Sequence, residues 1–160
     1  MIDSNYLQND YRKFIHTSRY ARWLDDKGRR ETWSETISRY VENVVVPKIR
    51  DEIIVGELEQ AILSNDICPS MRAVMTAGPA LERDNTAGYN CSYMPVDDPK
   101  SFDEAMFILL CGTGVGFSVE RQFISKLPDI PENMFMSETV VVVKDSKEGW
   151  AKALRQVIAL

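Results

Sequence analysis

An α/β fold preceded by a helical region is predicted by three features of the sequence. Residues 88–118, G-Y-N-C-S-Y-M-P-V-D-D-P-K-S-F-D-E-A-M-F-I-L-L-C-G-T-G-V-G-F-S, read as a cysteine-bearing strand, a polar turn, an apolar helix and a glycine-dense loop entering a second strand. Residues 139–143 form a β-branched run, which suits a strand covered on both faces. Residues 1–66 place their apolar side chains mainly at helical spacing.

Composition bounds the function classes. The chain has 160 residues, 44% hydrophobic and 27% charged, as an ordinary globular domain does. No apolar run approaches the roughly 20 residues of a membrane span, and the polar start M-I-D-S-N-Y shows no signal or transit peptide, so a cytoplasmic protein is expected. A net charge of −5 argues against a polyanionic ligand such as nucleic acid. Three cysteines, at 68, 91 and 111, without C-x-x-C spacing, and a lone histidine, His16, suggest neither a disulfide scaffold nor a metal site.

Taken in order, residues 1–30 mix Arg12, Lys13, Arg19, Arg22, Lys27, Arg29 and Arg30 with aromatics. That mixture can bind single strands of nucleic acid, but Tyr11, Phe14, Ile15 and Ser18 fall at helical spacing, and the arginines then form the wet face of a helix. D-D-K-G at 25–28 signals a turn. Thr32 and Glu35 make a capping box, followed by Ile37, Tyr40, Val41, Val44 and Val45 on one face and a stop at Pro47. A helix over 51–64 puts Ile54, Leu58, Ala61 and Ile62 on one side. Around 67–75 lies a short segment in which Arg72 fits either a phosphate or an ordinary ion pair. T-A-G-P-A at 76–80 and R-D-N-T-A-G at 83–88 are turn chemistry with small residues.

In the central stretch, Ser101 and Glu104 form a second capping box, and residues 105–111 are apolar all round, which predicts burial on every side. Gly112 ends that helix. The helix is expected to return the chain so that Cys91 and the loop around Gly114 line one concave site. Residues 115–120 alternate as a half-buried strand, and Asp145 or Ser146 caps a last helix whose inner face carries Trp150, Ala153, Leu154, Val157 and Ile158. That helix runs to Leu160 without a stop signal, so the chain reads as cut.

Two chemistries suggest themselves and one fails. G-T-G-V-G lacks the Rossmann context: it follows a helix, enters a strand, and has Phe117 where the third glycine belongs. No helix N-terminus follows to receive a phosphate. Cys91, in N-C-S-Y between Tyr89 and Tyr93, fits a redox thiol and an inert packed cysteine equally. Cys68 and Cys111 sit in apolar contexts that suggest core.

The segments C-P-S-M-R (68–72), T-A-G-P-A (76–80), Y-N-C (89–91), S-F-D-E-A (101–105), G-T-G-V-G-F-S-V (112–119) and D-S-K-E-G-W (145–150) occur in the order and near the spacing of one family. The chain resembles ribonucleotide reductases, and among them the adenosylcobalamin-dependent (class II) branch, which the R-Y-A-R-W and E-T-W-S-E-T-I-S-R-Y segments also resemble. The resemblance implies an N-terminal helical region over 1–66 and, over 67–160, the first strands and helices of an α/β barrel left incomplete. It implies radical chemistry in which a cysteine thiyl abstracts the ribose 3′-hydrogen, two further cysteines supply reducing equivalents, and the 2′-hydroxyl leaves as water, making deoxyribonucleotides for DNA synthesis.

By the same resemblance Cys91 is one of the reducing cysteines. Ser70, Asn90, Thr113 and Gly114 are substrate contacts, and Asp98 begins the site for a deoxynucleotide effector, with residues 121–126 matching an effector loop in position alone. Adenosylcobalamin is the implied cofactor, with its binding residues outside this chain. The implied partners are the ribonucleotide, the effector, a thioredoxin- or glutaredoxin-type reductant and the missing C-terminal half, which carries the radical cysteine. The short spacing between Cys91 and Gly112 favours a homodimer. Alone, such a chain is expected to be inactive, as a truncated chain or one half of a split protein. A non-catalytic nucleotide-binding or regulatory module, or a class I relative with a separate radical-generating subunit, are the alternatives.

Overall fold

The computed structural model describes residues 6–160, which divide into two compact units, 6–88 and 89–160. The first is helical. Asn9 caps α1 (Asp10–Ile15), its side chain accepting the Arg12 N–H, and the helix widens into a π-helical stretch over His16–Tyr20. A two-stranded antiparallel hairpin, β1 (Trp23–Leu24) and β2 (Arg29–Arg30), closes through Gly28 at φ +60°, so the D-D-K-G turn forms where expected. The capping box of Thr32 and Glu35 is present and starts α2 (Trp33–Tyr40), which also widens, over Val41–Val45. Asp51 caps α3 (Glu52–Leu63) by accepting two backbone N–H groups. Ser70 caps α4 (Met71–Thr76), and Gly78, at φ +96°, introduces α5 (Pro79–Arg83), before a 3₁₀ turn at Asn85–Gly88.

The core of this unit is Leu7, Trp33, Ile37, Val41, Ile62, Leu63 and Val74. The indole N–H of Trp33 reaches the Leu63 carbonyl at 3.0 Å, and its ring meets His16 edge-on. The periodicity of α1 points elsewhere than its packing: Tyr11 and Phe14 are exposed, and the inward residue is His16, whose Nε2 lies 2.9 Å from the Thr36 hydroxyl. Thr36 donates in turn to Glu31, a buried carboxylate that takes Nε and Nη2 of Arg39. Arg39 spends its remaining nitrogen on the carbonyls of Val74 and Ala77, fastening α2 to α4.

The second unit opens with β3 (Cys91–Pro95), α6 (Lys100–Leu110) and β4 (Gly114–Ser118), the strands pairing in parallel. Parallel neighbours need a crossover, and α6 supplies it. After a short α7 (Arg121–Ile124), the chain runs without regular structure to α8 (Lys147–Ile158), capped by Ser146 through the Gly149 N–H. α8 packs against α6.

Several expectations fail here for identifiable reasons. Ser101 does not cap α6: Asp98 accepts the Lys100 N–H, so the helix starts earlier, and Ser101 donates to the Pro95 carbonyl. α6 is not buried all round, since Phe102, Leu109 and Leu110 are exposed while Ser101 and Asp103 are buried. Residues 139–143 form no strand, and Val140 and Val142 stand open, because no neighbouring strand pairs with them among the described residues. The inner face of α8 is Ala151 and Ala153, whereas Trp150, Val157 and Ile158 are exposed. Cys68, expected in the core, is exposed in the turn before α4, and Cys111 is buried as expected. The strands make two two-stranded sheets, and no helix among the described residues is long and apolar enough to cross a membrane.

Candidate functional site

The chemistry-bearing residues of the second unit converge because the βαβ turn puts the cysteine strand and the glycine loop side by side. Gly112, at φ +83°, turns the chain out of α6 in a conformation that side chains resist. Thr113 follows, fully buried, its hydroxyl donating to the Tyr89 carbonyl at 2.9 Å. The Gly114 N–H then donates to the Asn90 carbonyl at 2.9 Å, and the Ser92 hydroxyl to the Gly114 carbonyl at 3.1 Å. These bonds fix the register in which Cys91 faces Gly114 and Tyr93 faces Gly116.

Register partners in a parallel pair point to the same side of the sheet. The face carrying Cys91, Tyr93, Gly114 and Gly116 is exposed, and the opposite face, with Ser92, Met94 and Val115, is half-buried. A Cβ placed on Gly114 would lie 4.0 Å from the Cys91 sulfur, in ordinary contact. Glycine there leaves the flank of the sulfur open. Cys91 is a free thiol between the exposed rings of Tyr89 and Tyr93. Cys91 and Gly114 are thus juxtaposed as expected, but on an open face and not in the concave site that was expected.

The remaining predicted residues are placed as follows. Asn90 is exposed next to Cys91, with its main-chain carbonyl taken by Gly114. Asp98 is exposed at the start of α6, where a carboxylate favours the helix dipole, and the adjacent Asp97 pairs with Lys126 at 3.0 Å. Ser70 is exposed in the first unit, its hydroxyl accepting the Ala73 N–H at 3.4 Å. Arg72 donates to the Ala87 carbonyl at 2.8 Å.

Sequence reasoning missed a groove of about 420 Å³ between α6 and α8, lined by Asp103, Phe107, Ala151 and Arg155 among others. Asp103 is buried there, with one carboxylate oxygen on the Arg155 guanidinium at 2.9 Å and Oδ1 without a hydrogen-bond partner among the described residues. The ion pair raises the pKa of Arg155, chiefly through the Asp103 hydrogen bond. The signal in the sequence was slight: an aspartate in the first turn of a largely apolar helix, beside Glu104, which once buried needs a cation.

Comparisons with known proteins point to one family. The family model described as the ribonucleotide reductase alpha domain matches residues 3–58. The adenosylcobalamin-dependent ribonucleoside-triphosphate reductase of Lactobacillus delbrueckii subsp. bulgaricus is 26% identical over 85% of this chain and 22% of its own length. The protein of the same description from Lacticaseibacillus paracasei is 29% identical, again over 85% and 22%. A crystal structure of a B12-dependent (class II) ribonucleotide reductase superposes with a TM-score of 0.72, at 21% identity, over 91% of this chain and 29% of that one. The chain spans about a fifth of the length of the curated relatives it matches. The likeness to adenosylcobalamin-dependent ribonucleotide reductases read from the motifs therefore holds, and the fold is that of a portion of the class II enzyme.

Proposed function

We propose that this chain is the N-terminal part of an adenosylcobalamin-dependent ribonucleotide reductase, cytoplasmic, with Cys91 as one of the two thiols that reduce the ribose. One observation carries the reading: the Cys91 thiol is free and exposed, and it sits in register with a glycine that leaves room for a sugar beside it. A reducing thiol needs that access, and a packed inert cysteine does not.

The reaction balances around two thiols. The 2′-hydroxyl leaves as water, hydrogen takes its place at C2′, and Cys91 and a second cysteine become a disulfide, which an external dithiol of the thioredoxin or glutaredoxin type re-reduces by exchange. That second cysteine and the radical cysteine come from the portion of the relatives that this chain does not span, so the chain alone turns nothing over. Gly114 gives the ribose its approach. Thr113 meets the nucleoside through main chain, because its hydroxyl is already donated to Tyr89. Asn90 and Ser70 contact the substrate, Ser70 on the phosphate side, and Asp98 begins the effector site.

Adenosylcobalamin supplies the radical when bound. Among the described residues there is no cluster of His, Cys, Asp and Glu that could hold a metal ion, and His16 is buried against Thr36. By the resemblance, the residues that would hold the cobalamin lie in the portion of the relatives that this chain does not span. Within this reading, residues 1–66 are the helical region before the barrel and residues 67–160 its first strands and helices. The exposed apolar faces of α6 and α8 are where a second copy or the rest of the barrel packs.

The test is Cys91→Ser in the reductase reconstituted from this chain and its complementing portion. Dithiol-dependent reduction of ribonucleotides falls to background while nucleotide binding is retained. Undiminished turnover in the variant overturns the assignment, and nucleotide binding without turnover in the unsubstituted reconstituted protein favours a regulatory module instead.

A further inference from the structure

Outside the Cys91 face, the second unit holds another thiol in an unusual setting. Cys111 ends α6, its N–H bonded to the carbonyls of Phe107 and Ile108, and it is buried. The Lys147 ammonium at the start of α8 lies 3.0 Å from its sulfur and 5.2 Å above the centre of the Phe107 ring. Both ends of this contact are fixed by secondary structure. Ser146 caps α8 immediately before Lys147, and along the same helix pair Arg155 grips Asp103. The amine and the sulfur are thus held together by the packing of α6 on α8, which gives an intramolecular reaction between them a large advantage over any external amine.

We propose that Cys111 and Lys147 are a peroxide-modified pair, which hydroperoxides convert to a reversible sulfur–nitrogen crosslink. In the first step the Cys111 sulfur attacks the peroxide, an S–O bond forms as O–O breaks, and water (or an alcohol) leaves. Sulfur is oxidised by two electrons and peroxide oxygen reduced by two. Sulfenic acid made this way condenses with nitrogen nucleophiles. Here the Lys147 nitrogen, once its ammonium has given a proton to a solvent base, attacks the sulfur as the neutral amine; S–N forms as S–O breaks, and the departing hydroxide takes a second nitrogen proton away as water. The net change is thiol plus amine plus hydroperoxide to sulfenamide, with two molecules of water from hydrogen peroxide. A dithiol reverses it: one thiol displaces the amine to give a mixed disulfide, and the second resolves that disulfide.

The crosslink would tie the C-terminus of α6 to the N-terminus of α8 one residue before Gly112, where the chain turns into the loop that backs Cys91. It requires neither the radical chemistry nor the role given to Cys91 above.

Hydrogen peroxide added to the full folded chain, followed by digestion and mass spectrometry, tests it directly. The expected product joins the Cys111 peptide to the Lys147 peptide at the mass of the two less two hydrogens. It disappears with dithiothreitol, and it is absent both from Lys147→Arg and from chain unfolded before oxidation. In Lys147→Arg, Cys111 should instead trap dimedone as a sulfenic acid, while Cys68 and Cys91 react as they do in the unsubstituted chain. If the folded, unsubstituted chain yields no joined peptide, with Cys111 staying reduced or trapping dimedone, the proposal fails. A joined peptide of equal yield from unfolded chain also overturns it, because the geometry would then contribute nothing. The unsubstituted chain decides these outcomes even if Lys147→Arg does not fold.

Discussion

The two units solve the problem of burial in opposite ways. In the first, Trp33, Ile37, Val41, Ile62, Leu63 and Val74 close into a core, and the charges behind it are satisfied internally, Glu31 by Arg39, Thr36 and the Arg22 N–H. In the second, the buried apolar residues are only small ones, Cys111, Ala151 and Ala153, whereas Leu109, Phe117, Phe135, Val140, Val142, Trp150 and Val157 face outward. Apolar exposure on that scale marks surfaces made for contact with other chain. The first unit therefore carries its own stability, and the second presents the Cys91 thiol on a framework whose larger apolar side chains lie open.

The largest effect expected from this contrast is at Arg39. Its side chain is mostly buried, and Glu31 opposite it is almost completely so. Arg39→Ala strands a buried carboxylate and frees the carbonyls of Val74 and Ala77 that the guanidinium held. Removing one partner of a buried pair costs about 3–5 kcal/mol. Denaturant unfolding of the first unit should shift by that amount. A change under about 1 kcal/mol would mean that the first unit is not stabilised from within as described.

Acid should act on the same unit. Burial pushes the Glu31 carboxyl upward, but the hydrogen bonds from Arg39, the Arg22 N–H and Thr36 outweigh it and hold the pKa below its ordinary 4.5. Glu35 is also held well below its ordinary value, by hydrogen bonds from Arg29 and then Lys27. A carboxylate with a depressed folded-state pKa contributes stability that is fully present above its unfolded value and is lost as pH falls through the folded one. Hydrogen exchange followed from pH 7 downward should accordingly show protection in α2 and α4 holding to about pH 4.5 and then falling. Protection lost well above that pH, or unchanged far below it, would break the link to Glu31.

Local signals carried most of what the sequence made legible. The Thr32 and Glu35 box, the Ser146 cap and the turn at Gly28 all formed, because each depends on neighbours a few residues away. The pairing of Cys91 with Gly114 was also readable, since one helix of fixed length joins the two strands. The failures turn on which of several competing partners wins, near or far along the chain. Ser101 had the spacing of a cap, but Asp98 competed for the same helix end and Pro95 offered its carbonyl. His16, Thr36 and Glu31 form a buried relay that no spacing rule connects. Residues 139–143 have the composition of an inner strand, yet a strand exists only where another pairs with it.

The smallest expected effect tests the comparison from its other side. Leu109 lies at the C-terminal end of α6, more than half exposed in this chain at 56%. A leucine buried in a core costs about 2–5 kcal/mol when cut to alanine, whereas a surface change away from special features stays within about 0.5 kcal/mol. Leu109→Ala should therefore leave the unfolding of the isolated chain nearly unchanged. If the outward face of α6 is a contact surface, the same substitution weakens association of this chain with a second copy or with a complementing chain, measured by sedimentation. Leu109 then behaves as a surface residue in one measurement and as a core residue in the other. A loss of several kcal/mol in the isolated chain would mean that the second unit already buries this face by itself, and the distinction between the two units would collapse.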